Sequence, residues 1–304
     1  MVIAAAERIS ARSSALREFL DRHPGADFDR DGIRLHYLDE GAGAPVVMVH
    51  GNPTWSFHFR RLAEALSPTC RVVVPDHVGC GLSEKPDDAR YDYTLESRVD
   101  DLEALLASLG IDRDIALVLH DWGGMIGMAY AARHPERISR LVVMNTAGFH
   151  MPAAKSFPPA LWVCRDTPLG AWAVRGLNAF VRGTARIGCK RHPLSRDVRE
   201  AYAAPYDSWA HRIAIHRFVQ DIPLRPGDRC YDLVTGVQDR LPLLADVPML
   251  VGWGLKDFVF DGTFLDEWTR RFPRATVLAY PDAGHYVLED ESEALIPAIR
   301  EFLC

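Results

Sequence analysis

The chain has 304 residues, 48% of them hydrophobic, 25% charged and 10% aromatic. That length and balance suit one large α/β domain or two ordinary ones around a sizeable core, and they exclude wholesale disorder. With 35 Lys or Arg against 41 Asp or Glu, the net charge is −6, so no global basic footprint points to nucleic acid.

Short β-branched runs alternate with helical patterns along the chain. The runs predict strands at Arg34–Leu38, Val46–Val49, Arg71–Val74, Ile115–Leu119, Leu141–Met144, Met249–Val251 and Thr276–Ala279. Several are continuously apolar, as strands buried on both faces of a parallel sheet must be. Thr94 is placed to cap a helix whose apolar positions are Leu95, Val99, Leu102, Leu105, Leu106 and Leu109, ending at Gly110. Strands alternating with helices predict a doubly wound, mostly parallel α/β sheet.

The rhythm breaks after Asn145 and resumes at Met249. Between them Trp162, Trp172, Phe180, Tyr202, Trp209 and Phe218 sit in helical stretches broken by Pro or Gly. The expected organisation is a core over 1–150, a helical insertion over 151–235, and the rest of the core over 236–304. The insertion holds 13 Lys or Arg against 7 Asp or Glu, the reverse of the chain as a whole. Such a bias reads as a solvated face, or as a docking surface for an acidic partner or an anionic membrane.

No apolar run approaches the roughly 18–20 residues that span a bilayer. The apolar start Met1–Ala6 is cut short by Glu7 and Arg8 and lacks a basic region before it, which reads against a signal peptide. The six cysteines, Cys70, Cys80, Cys164, Cys189, Cys230 and Cys304, form no C-x-x-C pair, so free thiols in a reducing cytoplasm are expected. His211 and His216 are five apart, a poor spacing for metal ligands on a helix, and no phosphate-binding Gly loop occurs. Neither a metal nor a cofactor is expected.

Chemistry concentrates at three strand ends. In Leu117-Val118-Leu119-His120-Asp121-Trp122-Gly123-Gly124 a buried strand runs through a turn into a helix, with Asp121 where a nucleophile elbow places its reactive residue. Leu119 stands where the generic motif has its first Gly. A carboxylate there attacks without help from a base, although Asp121 also suits an ordinary helix cap. Val251-Gly252-Trp253-Gly254-Leu255-Lys256-Asp257 puts an acid past a later strand, and Gly284-His285 a histidine past the last one. Asp121, Asp257 and His285 follow the chain order nucleophile, acid, histidine, in which Asp257 orients His285 and stabilises its imidazolium. The loop His50-Gly51-Asn52-Pro53-Thr54 supplies backbone N–H donors beside the elbow, and Asn52 and Trp122 add side-chain donors for an anion.

These motifs resemble those of the haloalkane dehalogenases of the α/β-hydrolase fold, and the resemblance spans nearly the whole chain. It implies an Asp121 nucleophile, a His285–Asp257 pair, an anion clamp of Asn52 and Trp122, and a helical cap at 151–235. Some members take their acid after the sixth strand, but Met144-Asn145-Thr146-Ala147 holds no carboxylate, leaving Asp257.

The loop Pro75-Asp76-His77-Val78-Gly79-Cys80-Gly81-Leu82-Ser83-Glu84-Lys85-Pro86, with lesser support from Asn145-Thr146-Ala147-Gly148-Phe149 and Gly254-Leu255-Lys256-Asp257, is also similar to that of the β-lactone decarboxylases of bacterial long-chain olefin biosynthesis. That likeness implies conversion of cis-3-alkyl-4-alkyloxetan-2-ones to cis-alkenes and carbon dioxide. It also implies a small hydrophobic substrate, assembly with other enzymes of that pathway, and a cytoplasmic location. Trp162, Trp172, Trp209 and Phe218 are the candidates to line the apolar pocket such a substrate needs. Hydrolytic dehalogenation is the alternative. Epoxide hydrolysis, using Tyr202, Tyr206 or Tyr231, stands behind it, and a relative that only binds a ligand or partner is the non-enzymatic reading.

Overall fold

The computed structural model describes residues 13–304, so the start Met1–Ala6, on which the reading against a leader rests, lies outside the described residues. Eight strands form one sheet: β1 Ala26–Arg30, β2 Ile33–Glu40, β3 Pro45–Val49, β4 Arg71–Pro75, β5 Ile115–Asp121, β6 Ile138–Thr146, β7 Met249–Gly254 and β8 Thr276–Tyr280. Their order is β1-β2-β4-β3-β5-β6-β7-β8. The β1–β2 and β2–β4 pairs are antiparallel, and every other pair is parallel. All seven strands expected from the sequence are present. The eighth, β1, escapes the pattern because Ala-Asp-Phe-Asp-Arg lies on the sheet edge, mostly exposed, and carries no apolar run.

The central strand β3, and β5 as far as Leu119, are apolar because helices cover both sides of the sheet. On one side α3 (Leu95–Ser108) and α4 (Trp122–Arg133) pack together; on the other α2 (Arg60–Leu66) meets the C-terminal α13 (Ser292–Leu303). Residue 14 opens the first helix, α1 (Ser14–Arg22). Thr94 caps α3 as expected, in a reciprocal pair of bonds with Ser97, while Leu95, Val99, Leu102, Leu105 and Leu106 face the core.

Between β6 and β7 the described residues form helices and no strand. These are α5 (Pro159–Asp166), α6 (Pro168–Ala171), a π-helical turn (Trp172–Gly176), α7 (Ala179–Ile187), α8 (Arg196–Ala203), α9 (Ile213–Gln220) and α10 (Tyr231–Arg240). Beyond β7 come α11 (Gly262–Arg271), β8, α12 (Val287–Asp290) and α13. Because β3, β5, β6, β7 and β8 are parallel, their carboxyl ends lie along one edge, where open α/β sheets gather their reactive groups. Asp121 and Asn145, at the ends of β5 and β6, lie at that edge, and the loops carrying Asn52, Asp257 and His285 leave from it.

Candidate active site

Asp121 ends β5 at φ 53 and ψ −127, a conformation that costs a non-glycine residue about 1–3 kcal/mol and that persists where the surroundings enforce it. The next residues begin α4, and at Gly123 a Cβ would lie 1.8 Å from the Val49 carbonyl oxygen. Only glycine lets the helix start this close to β3. Thr146 on β6 donates its hydroxyl to the Asp121 carbonyl and pins the turn from the other side.

The carboxylate caps nothing, so the helix-cap reading of Asp121 falls. Instead its Oδ1 accepts the Asn52 backbone N–H at 2.5 Å, and the Trp122 backbone N–H beside the carboxylate favours its charged form. One oxygen is thereby held, and Oδ2 is left facing the His285 ring, with Nε2 at 3.6 Å.

His285 Nδ1 meets Asp257 Oδ2 at 2.7 Å, so the three residues expected from chain order do converge. Asp257 Oδ1 accepts the Val259 N–H at 2.8 Å, and Oδ2 accepts from Asn145 Nδ2 at 3.1 Å. Asn145 also brackets Gly254: its Nδ2 donates to that carbonyl at 3.0 Å and its Oδ1 accepts that N–H at 2.8 Å. The segment that the sequence shows to lack a carboxylate therefore supplies the amide that fixes the acid. His120, another residue the sequence reading passed over, joins its Nε2 to the His285 carbonyl at 2.9 Å and packs its ring 4.8 Å from the His285 ring.

Burial pushes the Asp121 carboxyl up to about 6, against the pull of His285 and of the Trp122 and Asn52 amides. Burial opposes the charge of Asp257 as well, but the His285 charge and hydrogen bond, with the Val259 and Phe260 amides, hold its carboxyl below the ordinary range. Desolvation would lower the His285 imidazole, yet Asp257 and Asp121 together keep it raised. Burial pushes His120 down to about 3, so it meets His285 as a neutral ring. At neutral pH the arrangement holds an ionised carboxylate beside a basic imidazole, out of water.

Asn52 spends one Nδ2 hydrogen on the Ile215 carbonyl of α9, at 3.1 Å, and keeps the other. Asn52, Trp122, Asp121 and His285 all border a cavity of about 330 Å³, within the range of small-molecule sites. Its remaining walls are nearly all apolar, including Met125, Phe149, Leu161, Phe180, Val219 and Phe260. Lys155, which also lines it, is neutralised by Asp261 at 2.7 Å.

The four aromatics expected to line this cavity do not. Trp162, Trp172 and Trp209 stand about half exposed on the outer surface. On α5 the cavity takes Ala160, Leu161 and Cys164, and helical periodicity turns Trp162 to the opposite side. Phe218 is buried, but behind Trp122: the rings are 5.3 Å apart, and the Arg98 guanidinium covers Phe218 at 3.7 Å. It props the indole instead of touching the cavity.

The tyrosines needed for an epoxide hydrolase are also elsewhere. Tyr202 donates to Glu289 at 2.6 Å, Tyr206 to the Thr54 carbonyl at 3.3 Å, and Tyr231 stacks on His150 at 4.2 Å. None of them borders the cavity. Cys80 is packed in the interior, where burial pushes its thiol up to about 12.

Residues 44–162 match the family described as alpha/beta hydrolase fold. A cis-3-alkyl-4-alkyloxetan-2-one decarboxylase of Shewanella oneidensis is 58% identical over 274 residues, covering 90% of this chain and 86% of its own. The chain belongs to the haloalkane dehalogenase-like α/β hydrolases, in the family of these decarboxylases. A second such decarboxylase, of Xanthomonas campestris, is 49% identical over 92% of this chain and 98% of its own. Haloalkane dehalogenase 2 of Mycobacterium bovis is more distant, at 32% over 90% of this chain and 93% of its own. Among solved structures, a variant of haloalkane dehalogenase DatA from Agrobacterium tumefaciens superposes with a TM-score of 0.83 at 25% identity, covering 95% of this chain and 99% of that one.

Proposed function

We propose that the protein is a carboxy-lyase that converts cis-3-alkyl-4-alkyloxetan-2-ones to cis-alkenes and carbon dioxide. The observation that carries this reading is the 58% identity, over 90% of the chain, to a decarboxylase of that name, against 32% to a dehalogenase. An apolar cavity with Asp121 and His285 on its wall suits a lactone with two alkyl arms.

In this reading Asp121 Oδ2 attacks and opens the strained ring, while Oδ1 stays on the Asn52 amide. The free Asn52 amide hydrogen and the Trp122 indole N–H stabilise the oxygen on which negative charge develops. One C–C and one C–O bond of the lactone break, a C=C bond forms, and Asp121 is released. The atoms balance within the lactone, with no cofactor and no water consumed. His285, held by Asp257, then serves as a local positive charge or proton shuttle, and the helices between β6 and β7 act as a cap over the cavity. A cytoplasmic location and association with the enzymes that make the lactone complete the proposal.

The test presents purified protein with a cis-3,4-dialkyl β-lactone and, separately, with bromo- and iodoalkanes, with Asp121→Ala beside each. Alkene is read by gas chromatography at low injector temperature, because β-lactones lose carbon dioxide on heating, and halide is read in solution. Asp121-dependent cis-alkene with negligible halide is the expected result. Rapid halide release without alkene returns the protein to the dehalogenases, the second reading, which the shared Asn52, Trp122 and Asp121 geometry also suits.

A further inference from the structure

Six of the large hydrophobic side chains exposed among the described residues fall between residues 162 and 209: Trp162, Leu169, Trp172, Leu177, Ile187 and Trp209. They are not scattered. Gly170 of α6 abuts the backbone of Val163 and Cys164, where an added Cβ would lie 2.3 Å from the Val163 carbonyl oxygen. Leu169 (61% exposed) and Trp162 (52%) therefore emerge next to one crossing. Trp172 (55%) follows directly, and the amide of Leu177 closes onto its carbonyl at 3.2 Å. From the same turn Arg175 covers the Trp209 ring at 4.8 Å and donates to the Trp209 carbonyl.

The charged side chains left without a partner on this face are basic. Arg182, Arg186 and Lys190 are exposed, and none has an acid within ion-pair distance among the described residues. The neighbouring acids are already engaged, Asp166 by Arg165 at 2.5 Å and Asp207 by His211 at 2.6 Å. Tryptophan and leucine set among unpaired arginines is the composition of a surface that rests at the headgroup level of an anionic bilayer.

The face also meets the cavity. Ala160, Ala179, Gly183 and Ile187 border the cavity while remaining open to solvent, and one step around α7 from Ala179 and Gly183 stand Arg182 and Arg186. We infer that the surface formed by Trp162, Leu169, Trp172 and Leu177 with Arg182 and Arg186 docks on an anionic lipid surface, with the cavity mouth turned toward it. The use of such docking rests on the apolar substrate and product proposed above, which partition into a bilayer. The docking itself rests only on the exposed side chains and their charge.

The experiment is co-sedimentation of the full-length protein with vesicles of phosphatidylcholine alone or mixed with phosphatidylglycerol, with tryptophan emission read alongside. Three proteins are compared: the wild type, Arg182→Glu/Arg186→Glu, and Trp162→Ser/Trp172→Ser. None of these four side chains borders the cavity, so turnover of a short-chain lactone in buffer checks the fold of each variant. Vesicle binding is read without turnover, so it stands even if that substrate proves wrong.

The wild type is expected to sediment with the anionic vesicles, with blue-shifted emission, and to be released by salt. Each arginine near an anionic surface is worth about fivefold in partitioning, so reversing two weakens binding at least tenfold. Loss of the two indoles does the same at constant charge. The proposal is overturned if the wild type stays in the supernatant, which returns the face to a protein partner. It is equally overturned if either variant binds as tightly as the wild type. Light scattering that shows a dimer made monomeric by Trp162→Ser/Trp172→Ser also overturns it, because a second copy then covers the face.

Discussion

Gly51→Ala tests whether the loop after β3 holds the nucleophile. A Cβ at position 51 would lie 2.1 Å from Asp121 Oδ1, 2.5 Å from Asp121 Cβ and 2.4 Å from the Trp122 backbone nitrogen. Ordinary contact begins at 3.4 Å, so carboxylate and loop must separate by about 1.3 Å, the difference between 3.4 and 2.1. That movement breaks the 2.5 Å bond from the Asn52 N–H and swings Oδ2 away from its aim into the cavity. A misplacement of about 1 Å costs on the order of 10²-fold in rate, and loss of an oxyanion-type donor about as much, so kcat/KM should fall by about 10²–10³. Overpacking costs about 1–3 kcal/mol, which leaves a domain of this size folded. The assay is the initial rate of alkene formation beside a thermal melt by circular dichroism. A folded variant within a few-fold of the wild-type rate would refute the idea that this loop aims Asp121.

The rate should rise with pH through about 6 as Asp121 ionises, because burial raises its carboxyl and the protonated form below that pH cannot attack. His285→Gln removes the charge that pulls the Asp121 carboxyl down, so this acid limb should move to higher pH; a limb that stays put contradicts the assignment. Asp257→Asn removes the negative charge that orients and stabilises the His285 ring and should cost on the order of 10²–10⁴ in kcat, read under saturating lactone. Asn145→Ala strips a donor from Asp257 and from the Gly254 carbonyl and orphans the Gly254 N–H, at about 1–3 kcal/mol for a buried group left unpaired. The Gly254 carbonyl keeps the Asp257 N–H at 3.4 Å. The variant should lower both the melting temperature and the rate, and loss of neither would show that Asn145 is idle. Val219→Phe adds bulk to the cavity wall, so long-chain lactones should slow by roughly tenfold or more relative to short ones, the discrimination that a few methylenes allow.

The parts legible in the sequence are those set by local backbone requirements. Buried parallel strands need continuous apolar runs, which is why β3, β5 and β7 could be read directly. A charged residue on a strand end followed by Gly123 carried the elbow, and parallel topology brought Asp257 and His285 to it from distant positions.

The cavity wall was not legible, because it depends on which face of each helix between β6 and β7 looks inward. Composition marks Trp162, Trp172 and Trp209 as large and aromatic but does not orient them. Phe180, one more aromatic of the insertion, and Phe260, unremarkable in sequence, are turned inward by α7 and by the loop after β7. Asn145 was passed over because an amide does no chemistry by itself. Its value comes from the distance between the ends of β6 and β7, which a single sequence does not display.

The measurement that bears most directly on the account is turnover of a cis-3,4-dialkyl β-lactone in water labelled with heavy oxygen, followed by mass spectrometry of the peptide that carries Asp121. Decarboxylation at Asp121 without water predicts cis-alkene in quantity and an Asp121 peptide of unchanged mass after many turnovers. Heavy oxygen accumulating in Asp121, with a hydroxy acid in place of the alkene, would show that water resolves the intermediate and would contradict the account.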